Sequence, residues 1–115
     1  MSIATPSSLP DAGALSQDLI RNSDAAAVLL SSMAHPKRLL VLCQLVEGER
    51  TAGDLAARVG LSPSALSQHL AKMKGAGIVA SRREGQTLYY RLAGREVRAV
   101  IETLYALYCA PSGDC

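Results

Sequence analysis

The spacing of apolar positions changes character twice along the chain. Between Leu15 and Met33, the residues Leu15, Leu19, Val28, Leu29 and Met33 recur at helical intervals. That spacing predicts a helix, with a bend expected at Asn22-Ser23. His35-Pro36 interrupts the pattern. Pro36 suits the first turn of a second helix, where its missing N–H has no partner to lose. This helix runs to about Val46 with Leu39, Leu42, Cys43 and Val46 on its stripe. Gly48 is placed to end it in a left-handed cap. Thr51, with Asp54 three residues on, reads as a variant capping box. The short helix it opens has Leu55, Ala56 and Val59 on its inner side and stops at Gly60. Ser62 then caps another helix with Pro63 at its first position. That helix extends to about Gly75 and turns Leu66, Leu70 and Met73 inward.

The period then shortens. Residues Ile78 to Arg83 and Thr87 to Leu92 read as two strands joined through Glu84-Gly85-Gln86. From Gly94 the helical spacing returns in Val97, Val100, Ile101, Leu104, Leu107 and Tyr108, as far as about Cys109. Residues 1–14, rich in Ser, Pro, Ala and Gly, read as a flexible tail, and residues 110–115 as another. One domain over residues 15–109 remains. It is mainly α with a small β-hairpin, in the order helix, helix, helix-turn-helix, hairpin, helix. That order is a winged helix-turn-helix flanked by N- and C-terminal helices.

Composition sharpens this picture. A chain of 115 residues has room for one domain, yet 49% of it is hydrophobic. Part of that apolar surface needs a partner, and a second copy is the simplest one. The net charge is only +2, but residues 67–98 hold seven Lys/Arg against Glu84 and Glu96, a local excess of +5. Such a concentration is either a solvated face or a surface for a polyanion. No apolar run reaches the length of a membrane span, and no basic-then-apolar leader is evident. The expected location is the cytoplasm. Three cysteines in a reducing compartment are buried apolar residues, metal ligands or reactive thiols rather than a disulfide framework.

The segment from Thr51 to Leu70 carries the strongest functional signal. A helix-turn-helix needs a small residue where its helices touch, supplied by Ala56, and a glycine for the turn, supplied by Gly60. It also needs short polar side chains where its second helix enters the major groove. Ser62, Ser64, Ser67, Gln68 and His69 fill those places, and Lys72 adds a base on the same helix. Gln68 has the donor-acceptor pair that matches adenine. His69 reads equally as a phosphate ligand, a base reader or a structural hydrogen-bonding group. Arg82, Arg83 and Gln86 lie at the hairpin tip, where they can reach the minor groove or phosphate. Tyr89 and Tyr90 alternate faces, one toward the core and one outward. The expected ligand is double-stranded operator DNA. No phosphate loop, carboxylate pair or nucleophile elbow points to an enzyme, and no cofactor is expected.

At these residues the chain resembles the ArsR/SmtB family of winged-helix repressors. The resemblance covers about residues 25–109. It rests on Ala34-His35-Pro36-Lys37-Arg38-Leu39, on Leu61-Ser62-Pro63-Ser64-Ala65-Leu66-Ser67-Gln68-His69-Leu70 and on Lys74-Gly75-Ala76-Gly77-Ile78-Val79. It implies a homodimer built on the first and last helices and an operon repressed until an inducer arrives. Two metal sites of the family are not matched. The Cys-x-Cys positions read Thr51-Ala52-Gly53, and the last helix, from Gly94 to Ala110, has neither His nor Asp. Leu42-Cys43-Gln44-Leu45 and Leu107-Tyr108-Cys109 instead resemble the persulfide-sensing BigR/SqrR-like branch. That likeness implies that Cys43 and Cys109 become joined by a disulfide or polysulfide when reactive sulfur species or oxidants arrive, and that operator affinity then falls. On the residues alone, Cys43 reads equally well as a small buried hydrophobe. The competing expectation is a metal- or metalloid-responsive repressor using Cys43, Cys109 and Cys115.

Overall fold

The computed structural model describes residues 12–109, with side chains from residue 17 onward. It contains α1 (Ala12–Met33), α2 (Pro36–Val46), β1 (Arg50–Thr51), α3 (Ala52–Val59), α4 (Pro63–Gly75), β2 (Val79–Glu84), β3 (Thr87–Leu92) and α5 (Arg95–Tyr108). The mainly helical winged architecture expected from the sequence is present. No single helix is long and apolar enough to cross a membrane among the described residues.

Local chemistry explains most boundaries. His35 caps α2 by accepting the Lys37 N–H at its Nδ1, 3.1 Å away, with Pro36 in the first turn. Thr51 Oγ1 accepts the Asp54 N–H, and Ser62 Oγ accepts the Ala65 N–H, so both helices of the helix-turn-helix begin on a side-chain cap. Between them Gly60 takes φ 72° and ψ 41°, and the Gly60 and Leu61 amides both return to the Ala56 carbonyl. The core lies where α2, α3, α4, α5 and the sheet converge. Leu42, Leu45, Leu55, Leu66, Leu70, Met73 and Ile101 are its largest fully buried side chains. Each contributes about 1.5–3 kcal/mol of transfer free energy.

Four expectations need correction. The helix expected from Leu15 begins at Ala12, so the tail expectation fails over residues 12–14; residues 1–11 and 110–115 lie outside the described part. No break interrupts α1 at Asn22-Ser23, where both side chains bond carbonyls of their own helix, those of Asp18 and Ile20. Gly48 has φ 146°, which is not the left-handed helical cap; α2 closes at Glu47 in a right-handed conformation. The capping box is half made, since the Asp54 carboxylate turns to Arg50 and Arg58 instead of the Thr51 amide. The expected hairpin is present, and a third strand joins it in an antiparallel sheet of order β1-β3-β2, with Arg50 opposite Tyr90 and Thr51 opposite Tyr89. Two residues are too short for an alternation to register, so β1 left no periodic signal.

The stripe expected on α1 does not face this core. Met33 is buried and Leu29 packs partly, but Leu19 is 59% and Val28 51% exposed, beside Ile20 at 73% and Leu30 at 53%. At the other end of the chain, α5 leaves Leu107 71% and Tyr108 82% exposed.

Candidate DNA-reading surface and thiol pocket

Helix α4 divides into two faces. Leu66, Leu70 and Met73 are buried, which orients the helix against α3. Ser64, Gln68 and Lys72, four residues apart, make an exposed stripe with Ser67 beside it. Ser62 is also exposed, but its hydroxyl is engaged as the helix cap and lies 3.4 Å from Ser64 Oγ. Lys72 and Lys74 occupy the last turn, where cations complement the helix dipole.

His69 stands apart from that stripe. It is half-buried, and its Nδ1 accepts a hydrogen bond from Arg38 Nε at 3.1 Å. Its ring meets His35 at 4.5 Å between centroids, tilted by 58°. Burial, then the neighbouring His35, Arg38 and Lys72 charges, hold its imidazole below the ordinary histidine range. Of the readings open for His69, the structural hydrogen bond is present. The sequence reading passed over Arg38, although the His35-Pro36-Lys37-Arg38 phrase that contains it was conspicuous.

The hairpin residues also differ in availability. Arg82 pairs with Glu49 at 2.9 Å and Glu84 at 3.5 Å, and its guanidinium lies 4.5 Å from the Tyr89 ring centroid. The Arg82 hydrogen bonds hold the Glu49 carboxyl below the usual carboxylate range. Arg83 and Gln86 are exposed, and Arg83 has no ion pair among the described residues. Tyr90 packs on the core, while Tyr89 lies beneath Arg82. Of the two arginines near the hairpin tip, Arg82 is engaged and Arg83 is available.

The cysteines meet on the other side of α2. Cys43 and Cys109 line one largely apolar cavity of about 430 Å³ between α2 and α5, together with Leu39, Leu40, Ile101, Leu104, Tyr105 and Tyr108. Cys43 is a half-buried free thiol, and burial pushes its pKa up. Cys109 ends α5 in an extended conformation and is disulfide-bonded. The fold therefore brings the two cysteines to one cavity without joining them to each other. Glu47 and Glu102 lie beside Cys43 in an adjoining cleft.

Residues 35–81 match the bacterial regulatory protein family arsR. The chain is 48% identical over 93 residues to the transcriptional activator HlyU of Vibrio cholerae, covering 81% of this chain and 86% of that protein. Reduced HlyU superposes with a TM-score of 0.78 at 48% identity, covering 82% of this chain and 99% of that one. The biofilm growth-associated repressor of Agrobacterium fabrum is 42% identical over 91 residues, covering 79% and 78%. A homodimeric winged helix-turn-helix domain from Mycobacterium bovis gives a TM-score of 0.68 at 28% identity, over 89% of each chain. With its capped helix-turn-helix, exposed polar stripe and basic wing, the chain belongs to the ArsR family of DNA-binding transcriptional regulators.

Proposed function

We propose that this chain is a homodimeric repressor whose hold on operator DNA is released when Cys43 and Cys109 become joined. The observation that carries this reading is the shared cavity between α2 and α5. The dimer rests on the exposed apolar residues of α1 and α5, which a second copy would cover, and on the homodimeric relative. In the DNA complex, Ser64, Ser67, Gln68 and Lys72 of α4 face the major groove, with Gln68 reading adenine. Arg83 and Gln86 of the wing hold the backbone or minor groove, and Arg82 joins them only by leaving Glu49.

The chemistry starts from the form with Cys109 reduced. One cysteine thiolate attacks the terminal sulfur of a persulfide, R–S–SH, breaking its S–S bond. The cysteine becomes a persulfide, and the thiol R–SH leaves after taking up a proton. The second thiolate attacks the inner sulfur of that cysteine persulfide. A Cys43–Cys109 disulfide forms and hydrosulfide leaves, carrying away the outer sulfur. Two thiols are oxidised, and the one sulfane sulfur of the persulfide takes up the two electrons and leaves as hydrosulfide, beside the thiol R–SH. A peroxide reaches the same disulfide through a sulfenic acid, with water leaving at each step. Either bond ties the end of α5 to α2.

The test uses a duplex that the protein itself selects from a random-sequence library. Its affinity is measured by fluorescence anisotropy before and after treatment with an alkyl persulfide. Release is expected for the unaltered chain and lost in Cys43→Ser and in Cys109→Ser. Persulfide-driven release that survives both substitutions refutes the thiol switch.

A further inference from the structure

The first turn of α2 holds both helices of the DNA-reading motif. Lys37 Nζ donates to the Val59 carbonyl at 2.8 Å, at the C-terminal end of α3. The next residue, Arg38, donates through Nε to His69 Nδ1 of α4 and through Nη1 to the Ser32 carbonyl of α1, each at 3.1 Å. His35, which caps α2 through its own Nδ1, packs its ring on His69. Three residues of one turn, His35, Lys37 and Arg38, thus tie α1, α3 and α4 to α2.

We propose that Arg38 is a positioning residue for DNA reading: by donating to Nδ1 of His69 it fixes the angle of α4, through a contact only the neutral imidazole can make. A protonated imidazole has no acceptor at Nδ1, so the guanidinium bond is lost and two cations are left face to face. The groups acting on His69 are His35 from the turn before α2, Arg38 from α2 and Lys72 from α4 itself; no carboxylate acts on it among the described residues.

The sign of the pH effect follows. His69 titrates below the ordinary histidine range, so the clamp is intact above that range and opens as the pH falls through the lowered value. Acidification also adds positive charge beside the DNA-facing side of α4, which strengthens sequence-independent attraction. Specific binding weakens while non-specific binding does not. The inference does not depend on the thiol switch. It does rest on α4 reading DNA, and an imidazole titration made without DNA separates failure of the clamp from failure of that reading.

Two measurements on the full chain test it. First, the His69 imidazole is titrated by NMR in the unaltered chain and in Arg38→Met. The midpoint is expected to rise in the variant, which lacks both the donor and the charge. An unchanged midpoint overturns the proposal. Second, affinities for the library-selected duplex and a scrambled duplex are compared across the histidine range. Their ratio is expected to fall about tenfold on acidification, the cost of one charge-assisted bond. His69→Gln keeps a carbonyl acceptor without a titrating group. It should hold the ratio at high pH and lose the pH dependence. A ratio that still falls with acid in His69→Gln overturns the proposal even if Arg38→Met does not fold.

Discussion

Cys43 should react slowly at neutral pH, and its rate should keep rising with pH where an ordinary cysteine levels off. The perturbation is pH alone, applied to a Cys109→Ser, Cys115→Ser chain in which Cys43 is the one thiol left. Burial in the α2–α5 cavity pushes its pKa up, and no cation offsets this among the described residues. An unperturbed thiol near 8.5 has about 3% thiolate at pH 7, and Cys43 has less. Alkylation by uncharged iodoacetamide, followed by mass spectrometry, should therefore accelerate about tenfold per pH unit from 7 to beyond 8.5. The same chain unfolded in denaturant supplies the reference curve, whose midpoint should lie lower. Because the folded value is raised, the neutral thiol favours folding fully below the unfolded pKa. That contribution is lost as the pH rises through the folded value. Stability should thus decline at alkaline pH more than in Cys43→Ala. A native rate that plateaus near pH 7 would refute the argument, and would mean that an unrecognised base or cation faces the thiol.

Three further outcomes follow from the fold. Gly60→Ala places a Cβ at φ 72°, where the nearest atom is Lys37 Nζ at 3.8 Å, so the cost is conformational rather than steric. It should be about 1–2 kcal/mol, read as a lower Tm; an unchanged Tm sinks this reading. Leu107→Ser removes an exposed apolar side chain of α5, so the proposed dimer should dissociate at lower dilution in sedimentation equilibrium while the far-UV spectrum stays unchanged. Arg83→Ala should weaken selected and scrambled duplexes alike and reduce the log–log salt slope by about 1. Loss confined to the selected duplex would instead mean that Arg83 reads a base.

What the sequence revealed, and what it hid, divides by the range of the interactions. The ends of α2, α3 and α4 were legible because their causes are local: His35-Pro36, Thr51, Gly60 and Ser62-Pro63 act within one turn of the residues they fix. The exposed stripe of α4 followed from the same periodicity. Contacts between distant residues were not legible. Arg82 looked like a free DNA ligand because nothing in the pattern shows that Glu49, 33 residues away, folds against it. The readings of His69 as phosphate ligand, base reader or structural group stayed open in the sequence because Arg38, 31 residues earlier, had no visible link to it. The apolar stripe of α1 was legible as a stripe, but periodicity alone does not say what it packs against. Leu19, Val28 and Leu30 stay in solvent in a single copy.

These long-range contacts give α2 a part in both proposals. Its first turn grips α3 through Lys37 and α4 through Arg38. Farther along, Cys43 faces the cavity closed by α5, and Arg98 of α5 donates to the Val46 carbonyl at its end. Leu42 and Leu45 are fully buried, so α2 cannot rotate about its own axis without opening the core. A bond that pulls α5 toward Cys43 therefore strains one end of a rigid rod whose other end sets the reading helix. The Arg38–His69 contact is the polar link in that path. If strain travels this way, persulfide treatment should shift the His69 imidazole signals in the absence of DNA, and Arg38→Met should abolish that shift. It should do so while leaving the rate of disulfide formation unchanged. Signals that move equally in both chains would mean the switch reaches DNA by another route, such as reorientation of the two subunits.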